Sequence, residues 1–278
     1  MSLSPLRRPL TFLLALGCCF QLTFPQWTIA KHDLDRFDLR GAVQTVVTRY
    51  SQLTTTHQFD RDGRLTAFEL QPVIQAGAVR YVYRYDASGR LTEEETFDPE
   101  GAVAYRKTFR YALNDQGRPS AQVAVTDQGL FTQAAFSFYD RRGLLSEEIM
   151  VNAQGVAEKS LFDVRGNLVY HARFFQGRLM LEGAHHYDPM DRLKESRFYG
   201  SDGAPMRTDR YRYDQAGHRI EQASDYLRQS HLRKSVATYE FDQAGNWIKE
   251  TVQRWSQKNL SVVLTETVVN RERTITYY

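Results

Sequence analysis

The chain has 278 residues, with 36 basic against 33 acidic side chains and 13% aromatic residues. That near-balance of charge gives no electrostatic footprint for nucleic acid. Both cysteines, Cys18 and Cys19, lie near the start, so nothing beyond residue 30 can form a disulfide or supply a thiolate.

Residues 1–30 read as an export signal. Arg7 and Arg8 are a basic start, Leu10 to Phe24 is almost wholly apolar, and Thr28 and Ala30 precede a cleavage site that leaves Lys31 first. The apolar run is shorter than the roughly twenty residues a spanning helix needs. Two readings compete with cleavage: an uncleaved anchor, and a lipid anchor at Cys18 after Gly17, although Ala15 and Leu16 are the wrong residues for a lipobox. Losing Arg7 and Arg8 changes 36 basic residues to 34 against 33 acidic. The expected location is exported: periplasm, outer surface or secreted.

From Phe59 onward one box recurs. Phe59-Asp60-Arg61-Asp62-Gly63 is followed by Tyr85-Asp86-Ala87-Ser88-Gly89, Tyr139-Asp140-Arg141-Arg142-Gly143, Phe162-Asp163-Val164-Arg165-Gly166, Tyr213-Asp214-Gln215-Ala216-Gly217 and Phe241-Asp242-Gln243-Ala244-Gly245. Two copies are degenerate: Asn114-Asp115-Gln116-Gly117, and Tyr187-Asp188-Pro189-Met190-Asp191, where Asp191 takes the glycine slot. Anchors fall at 63, 89, 117, 143, 166, 191, 217 and 245, a period of about 26 residues that marks a repeat architecture. Minor turns at Gly101, Gly129, Gly155, Gly177 and Gly203 sit between the boxes, so each unit is two strands and two turns. Segments such as Tyr81-Val82-Tyr83-Arg84-Tyr85 alternate with the period of half-buried strands.

The box is a turn by its chemistry. Its aspartate (Asp60, Asp86, Asp140, Asp163, Asp214, Asp242) can accept backbone N–H bonds two residues on. Its glycine (Gly63, Gly89, Gly143, Gly166, Gly217, Gly245) supplies a positive φ. The expected fold is all-β: tandem two-strand repeats in an antiparallel meander of about sixteen strands, a curved or spiral, β-solenoid-like sheet. One domain would span 31–278, with repeats over about 55–260 and terminal segments 31–51 and 262–278 capping the edges.

The boxes Tyr85-Asp86-Ala87-Ser88-Gly89-Arg90-Leu91-Thr92 and Tyr213-Asp214-Gln215-Ala216-Gly217 resemble the YD repeats of bacterial Rhs proteins, over roughly residues 55–260. Phe37-Asp38-Leu39-Arg40-Gly41 and Arg273-Thr274-Ile275-Thr276-Tyr277-Tyr278 resemble the ends of small stand-alone exported members. The large members wind such repeats into a shell around a toxin. No toxin or self-cleavage segment is found, so the resemblance implies a β-repeat fold, an envelope location and binding rather than catalysis.

Candidate chemistry is sparse. His57 and His185 sit two residues before Phe59 and Tyr187, where other copies hold an aromatic ring. His185 and His186, adjacent in a strand, point to opposite faces and cannot share a metal. His171, His218 and His231 have no relay partner nearby in sequence. Asp60 and Asp62 are the best calcium case, but most boxes hold one acid, and Arg141-Arg142 would repel a cation. Glu93-Glu94-Glu95 and Glu147-Glu148 recur at a fixed place in the unit, which reads as a solvated face balanced by Arg84, Arg110 and Arg212 rather than a glycosidase pair. No catalytic residue, metal or cofactor is expected. The leading reading is a non-catalytic envelope protein that binds protein or glycan through an exposed sheet face. The alternatives are a glycan-acting enzyme and an outer-membrane β-barrel.

Overall fold

The computed structural model describes residues 33–278 apart from 38, 75–76, 228–230 and 259–260. The expected export signal, Cys18 included, lies outside the described residues. A short helix, α1 (Asp33–Arg36), precedes eighteen strands. They are β1 (Val43–Arg49), β2 (Leu53–Phe59), β3 (Leu65–Pro72), β4 (Val79–Tyr85), β5 (Leu91–Phe97), β6 (Val103–Leu113), β7 (Pro119–Thr126), β8 (Phe131–Tyr139) and β9 (Leu145–Asn152). There follow β10 (Gly155–Phe162), β11 (Leu168–Phe175), β12 (Arg178–Tyr187), β13 (Leu193–Gly200), β14 (Pro205–Tyr213), β15 (Arg219–Tyr226), β16 (His231–Phe241), β17 (Trp247–Lys258) and β18 (Ser261–Tyr277).

Every strand pairs antiparallel with its chain neighbour, and β1 pairs with β18, from Val43 opposite Tyr277 to Arg49 opposite Glu272. The sheet is therefore a closed 18-stranded barrel. This corrects the open, β-solenoid-like meander of about sixteen strands. The two terminal segments do not cap separate edges but pair with each other, Val43–Arg49 against Glu272–Tyr277.

The boxes form the turns at one rim. Asp60 Oδ1 accepts the N–H groups of Asp62 and Arg64, both at 2.9 Å, and the N–H of Gly63 donates to the Asp60 carbonyl at 3.0 Å. Asp86, Asp140, Asp163, Asp188 and Asp242 repeat both side-chain bonds. Gly63 has φ +76, and Asp191 takes the same left-handed conformation at φ +60 without being glycine. Such bonds favour the ionised form of Asp86, Asp140, Asp163, Asp188 and Asp242. The Leu144 N–H, then Arg142, keeps Asp140 below the usual carboxylate range, and Arg192 does the same for Asp188.

Box tyrosines tie each unit to the one before. The Tyr85 hydroxyl donates to the Leu65 carbonyl at 2.7 Å, Tyr139 to Pro119 at 2.7 Å and Tyr213 to Leu193 at 2.8 Å. Where Leu113 and Phe241 hold the aromatic slot, Tyr111 and Tyr239 two residues earlier bond Leu91 and Arg219, both at 2.8 Å. The arginine after the glycine lies over the next tyrosine: Arg64 is 5.8 Å from the Tyr85 ring centre, Arg90 5.8 Å from Tyr111 and Arg192 5.1 Å from Tyr213.

The seam reuses this chemistry. Asn246, fully buried, accepts from the Arg40 N–H at 2.6 Å and donates to the Arg40 carbonyl at 2.9 Å and the Tyr277 hydroxyl at 2.7 Å. The Tyr277 hydroxyl also bonds Asp242, and the Tyr278 hydroxyl bonds the Phe59 carbonyl, with Arg61 5.5 Å from the Tyr278 ring. Leu39, Val43, Val46 and Phe59 form a small core here, joined by Leu34, Phe37, Leu65 and Ile275.

The large and polar strand residues of one parity are on balance the more buried, although small residues and Glu95 of the other parity are buried too. Thr48, Thr55, Phe68, Gln122, Ser160, Ser196, Asp209 and Glu250 belong to the more buried parity, whereas Arg84, Arg110, Arg197, Arg210 and Arg212 of the other are exposed. A closed wall crowds side chains on its concave side, so the buried parity is the inner face. The N-terminal segment packs against that face, with the Phe37 ring 4.5 Å from His57.

Candidate functional site

The inner face is polar along much of its circumference. One row of residues opposite one another runs Glu148, Ser160, His171, Gly183, Phe198, Arg207, Tyr226 and His231 across β9 to β16. The next row runs His185, Ser196, Asp209, Ser224, Arg233 and Ser256.

The two rows meet at a histidine pair. His171 Nδ1 and His185 Nε2 are 2.8 Å apart, and His185 Nδ1 is 2.8 Å from Ser196 Oγ. The rings stack at 5.0 Å, and Gly183 makes room: a Cβ there would come within 2.4 Å of the His171 ring. Burial, followed by repulsion from His171 and His186, lowers the His185 pKa to about 4. His185 is therefore neutral near pH 7. Next to the pair, Arg207 lies 4.3 Å from the Phe198 ring centre, with its Nε 3.1 Å from Asp209 Oδ1.

A Ser–His–His chain has the connectivity of a nucleophile, a base and an orienting group. Its burial argues otherwise. Ser196 is 1% exposed and Tyr211 engages it as well, so no substrate carbonyl can reach Oγ. The chain is a satisfied structural network in the inner wall. Glu148, also inward, has its carboxyl pKa raised by burial and then by Glu158, and its Oε1 has no hydrogen-bond partner among the described residues.

The residues singled out in sequence fall on separate places. Box aspartates and glycines are spread around one rim and converge on no common site. Arg64 occupies the best calcium loop, bonding Asp60 Oδ2 at 2.9 Å and also Asp62. Among the described residues no group of three or more His, Cys, Asp or Glu is placed to hold a metal ion. His57 lies between Phe37 and Phe68 at 4.5 and 4.8 Å, in the aromatic slot expected of it, and His186 points outward, away from His185.

The glutamate runs divide between the faces. Glu93 and Glu95 face outward to Arg84 and Arg106, while Glu94 faces inward to Lys107 at 3.0 Å. Glu147 pairs outward with Lys159 at 2.9 Å and Glu148 turns in. The single solvated face expected of these runs does not form: Glu94 and Glu148 turn inward, and outward Glu95 is 3% exposed between Arg84 and Arg106. The His171–His185–Ser196 chain was missed because its members lie on three strands.

No family model matches the chain, and no curated protein matches it. Among solved structures it is similar to a porin-like protein from Bacteroides uniformis, at 12% identity over 84% of this chain and 98% of that one, with a TM-score of 0.47. A porin-like protein from Bacteroides vulgatus matches at 11% identity over 85% and 98%, with a TM-score of 0.37. The TcdB2-TccC3-Cdc42 structure matches at 15% identity over 79% of this chain and 16% of that one, with a TM-score of 0.29. Likeness at these scores carries no argument about function. The barrel stands on the strand pairing of this chain alone: it is not the open YD or Rhs repeat sheet expected from the boxes, and its closure fits the β-barrel alternative better than a protein binding through an exposed sheet.

Proposed function

We propose that the chain is an exported, non-catalytic envelope protein that works as a closed barrel standing in water, with its polar inner wall enclosing a protein segment or glycan. The observation that carries this is charge on the outer wall. Arg84 and Arg106 flank Glu95, Arg197 and Arg210 share Glu195, and Arg212 and Lys234 share Glu221. An arginine or lysine facing lipid at the bilayer midplane costs about 2–4 kcal/mol. The cost falls toward the interfaces, so it is greatest for Arg106, Arg197 and Arg210, which stand well inside β6, β13 and β14, and least for Arg84 and Arg212, one residue from the strand ends.

The outer-membrane barrel is the second reading, favoured by closure with an even number of strands. Among the described residues no helix is long and apolar enough to cross a membrane, which says nothing of strands. Expressing residues 31–278 without detergent separates the two readings. The water-standing barrel stays soluble and does not float with phospholipid vesicles. Detergent dependence together with vesicle flotation would replace it with the membrane-spanning form.

A further inference from the structure

One strand position is filled against the pattern of the repeat. The residue two places after each box glycine opens the next strand and faces the interior: Leu65 joins the core at the seam, and Leu91 and Trp247 are buried. Leu145, Leu168 and Leu193 fill it in other units, and Pro119 in one. After Gly217 the same position holds Arg219, which is exposed and lies 5.6 Å from the ring centre of inward Tyr211. Arginine forgoes the burial a leucine gains there, so folding alone does not account for it.

A second arginine stands on the same inner strip. Arg233 is exposed, lies 5.3 Å from the Tyr226 ring centre and donates from Nε to His231 Nε2 at 3.2 Å. A ring nitrogen that accepts from arginine carries no proton, so His231 orients Arg233 without neutralising it. Asp209 balances Arg207 at 3.1 Å, but Arg219 and Arg233 meet no carboxylate among the described residues. Arg233 stands opposite Ser224, five residues along β15 from Arg219, which is about 17 Å.

We propose that this strip binds an extended acidic glycan, a chain of uronic acids running along β15. The inference rests on the reading of the barrel as enclosing a chain in water, and names that chain. Two unbalanced cations so far apart suit repeated carboxylates rather than one small anion. Each guanidinium is held beside a tyrosine ring, ready to take a carboxylate with its fork of donors. Gln222, between them, can both donate to and accept from sugar hydroxyls. A peptide fits less well, because β15 is paired on both sides, with β14 and β16, and offers its backbone no strand partner.

The test is isothermal titration calorimetry on residues 31–278 with oligogalacturonate, compared with maltooligosaccharide and poly-glutamate of matched length. Oligogalacturonate is expected to bind, more weakly as salt rises, and the neutral sugar not to bind. Arg219→Leu, which restores the residue of the other units, and Arg233→Gln should each weaken binding about tenfold or more. Arg110→Gln, on the outer wall, should leave it unchanged. A soluble barrel that prefers poly-glutamate, or binds neither acidic chain, overturns the acidic glycan and leaves the enclosing barrel standing. Equal losses in all three variants overturn it too, since they mark general charge rather than this strip. Detergent dependence with vesicle flotation removes the enclosing barrel and this inference with it.

Discussion

Tyr139 gives its ring to one neighbour and its hydroxyl to another. Arg118 lies 5.8 Å from the ring centre, and the Pro119 carbonyl accepts from the hydroxyl at 2.7 Å. Tyr139→Phe keeps the ring and deletes the bond, so we expect a loss of about 1 kcal/mol, read as a lower urea midpoint with an unchanged slope. The box shows that an aromatic residue stands here, because strand periodicity marks the position. It does not show the hydroxyl's acceptor, which lies twenty residues back in the previous unit. Tyr111 and Tyr239 make the point more sharply. They stand outside the aromatic slot and still make the bond, so the sequence signal is the spacing of twenty rather than the box. The His171–His185–Ser196 chain had no comparable signal, since only the register of β11, β12 and β13 brings its members together.

Turns and strands were largely legible, because they rest on local chemistry. Asp60, Gly63 and their counterparts encode a turn within five residues, and Asp191 was placed in the glycine slot by spacing alone. The seam was not legible. Asn246 occupies a position held by Arg64, Arg90 and Arg192 in other boxes, and nothing in the box shows that its partners are Arg40 and Tyr277. Asn246 is buried, and its side chain makes three hydrogen bonds across the seam. Asn246→Ala leaves the Arg40 N–H and carbonyl without their partner. We expect it to cost about 2–4 kcal/mol and to speed amide exchange in β1 and β18 more than in β8 or β9, as hydrogen–deuterium exchange would show. Equal acceleration in all four strands would count against a local seam.

For the whole molecule, acid acts first through the histidines. Burial, then the charge of Arg273, lowers the His57 pKa to about 4, and His185 is lowered to a similar value. The unfolded chain takes up these protons near pH 6.5 and the folded barrel does not until about pH 4. Stability is therefore full above about pH 6.5 and falls as pH drops toward 4, by up to about 3 kcal/mol for the deeply buried His57 and by less for the more exposed His185. Turn aspartates such as Asp140 and Asp188, whose pKa values are depressed, add a further loss only below about pH 4. Thermal melts at pH 7.5 and 5 should show the first loss, and His57→Phe should reduce the difference by preserving the ring contacts without the titration. At this scale the sequence misled. Half-buried alternation fits an open spiral and a closed barrel equally well, and strand tilt and stagger, which decide between them, are not written in any one segment.

The closed ring also divides the molecule by the separation of its contacts along the chain. Seventeen of its strand pairings join consecutive strands, and each can form as a hairpin without waiting for the rest. The remaining one joins β1 to β18, and the bonds beside it link Arg40 to Asn246 and Tyr278 to Phe59, 206 and 219 residues apart. Bringing ends that far apart together costs about 5 kcal/mol of chain entropy for a flexible chain, beyond a constant. A meander of already formed hairpins is shorter and stiffer, so most of that cost has been met before the ends meet. Local zipping thus prepares the one non-local step, and the speed of folding is set by how soon the two end strands find each other.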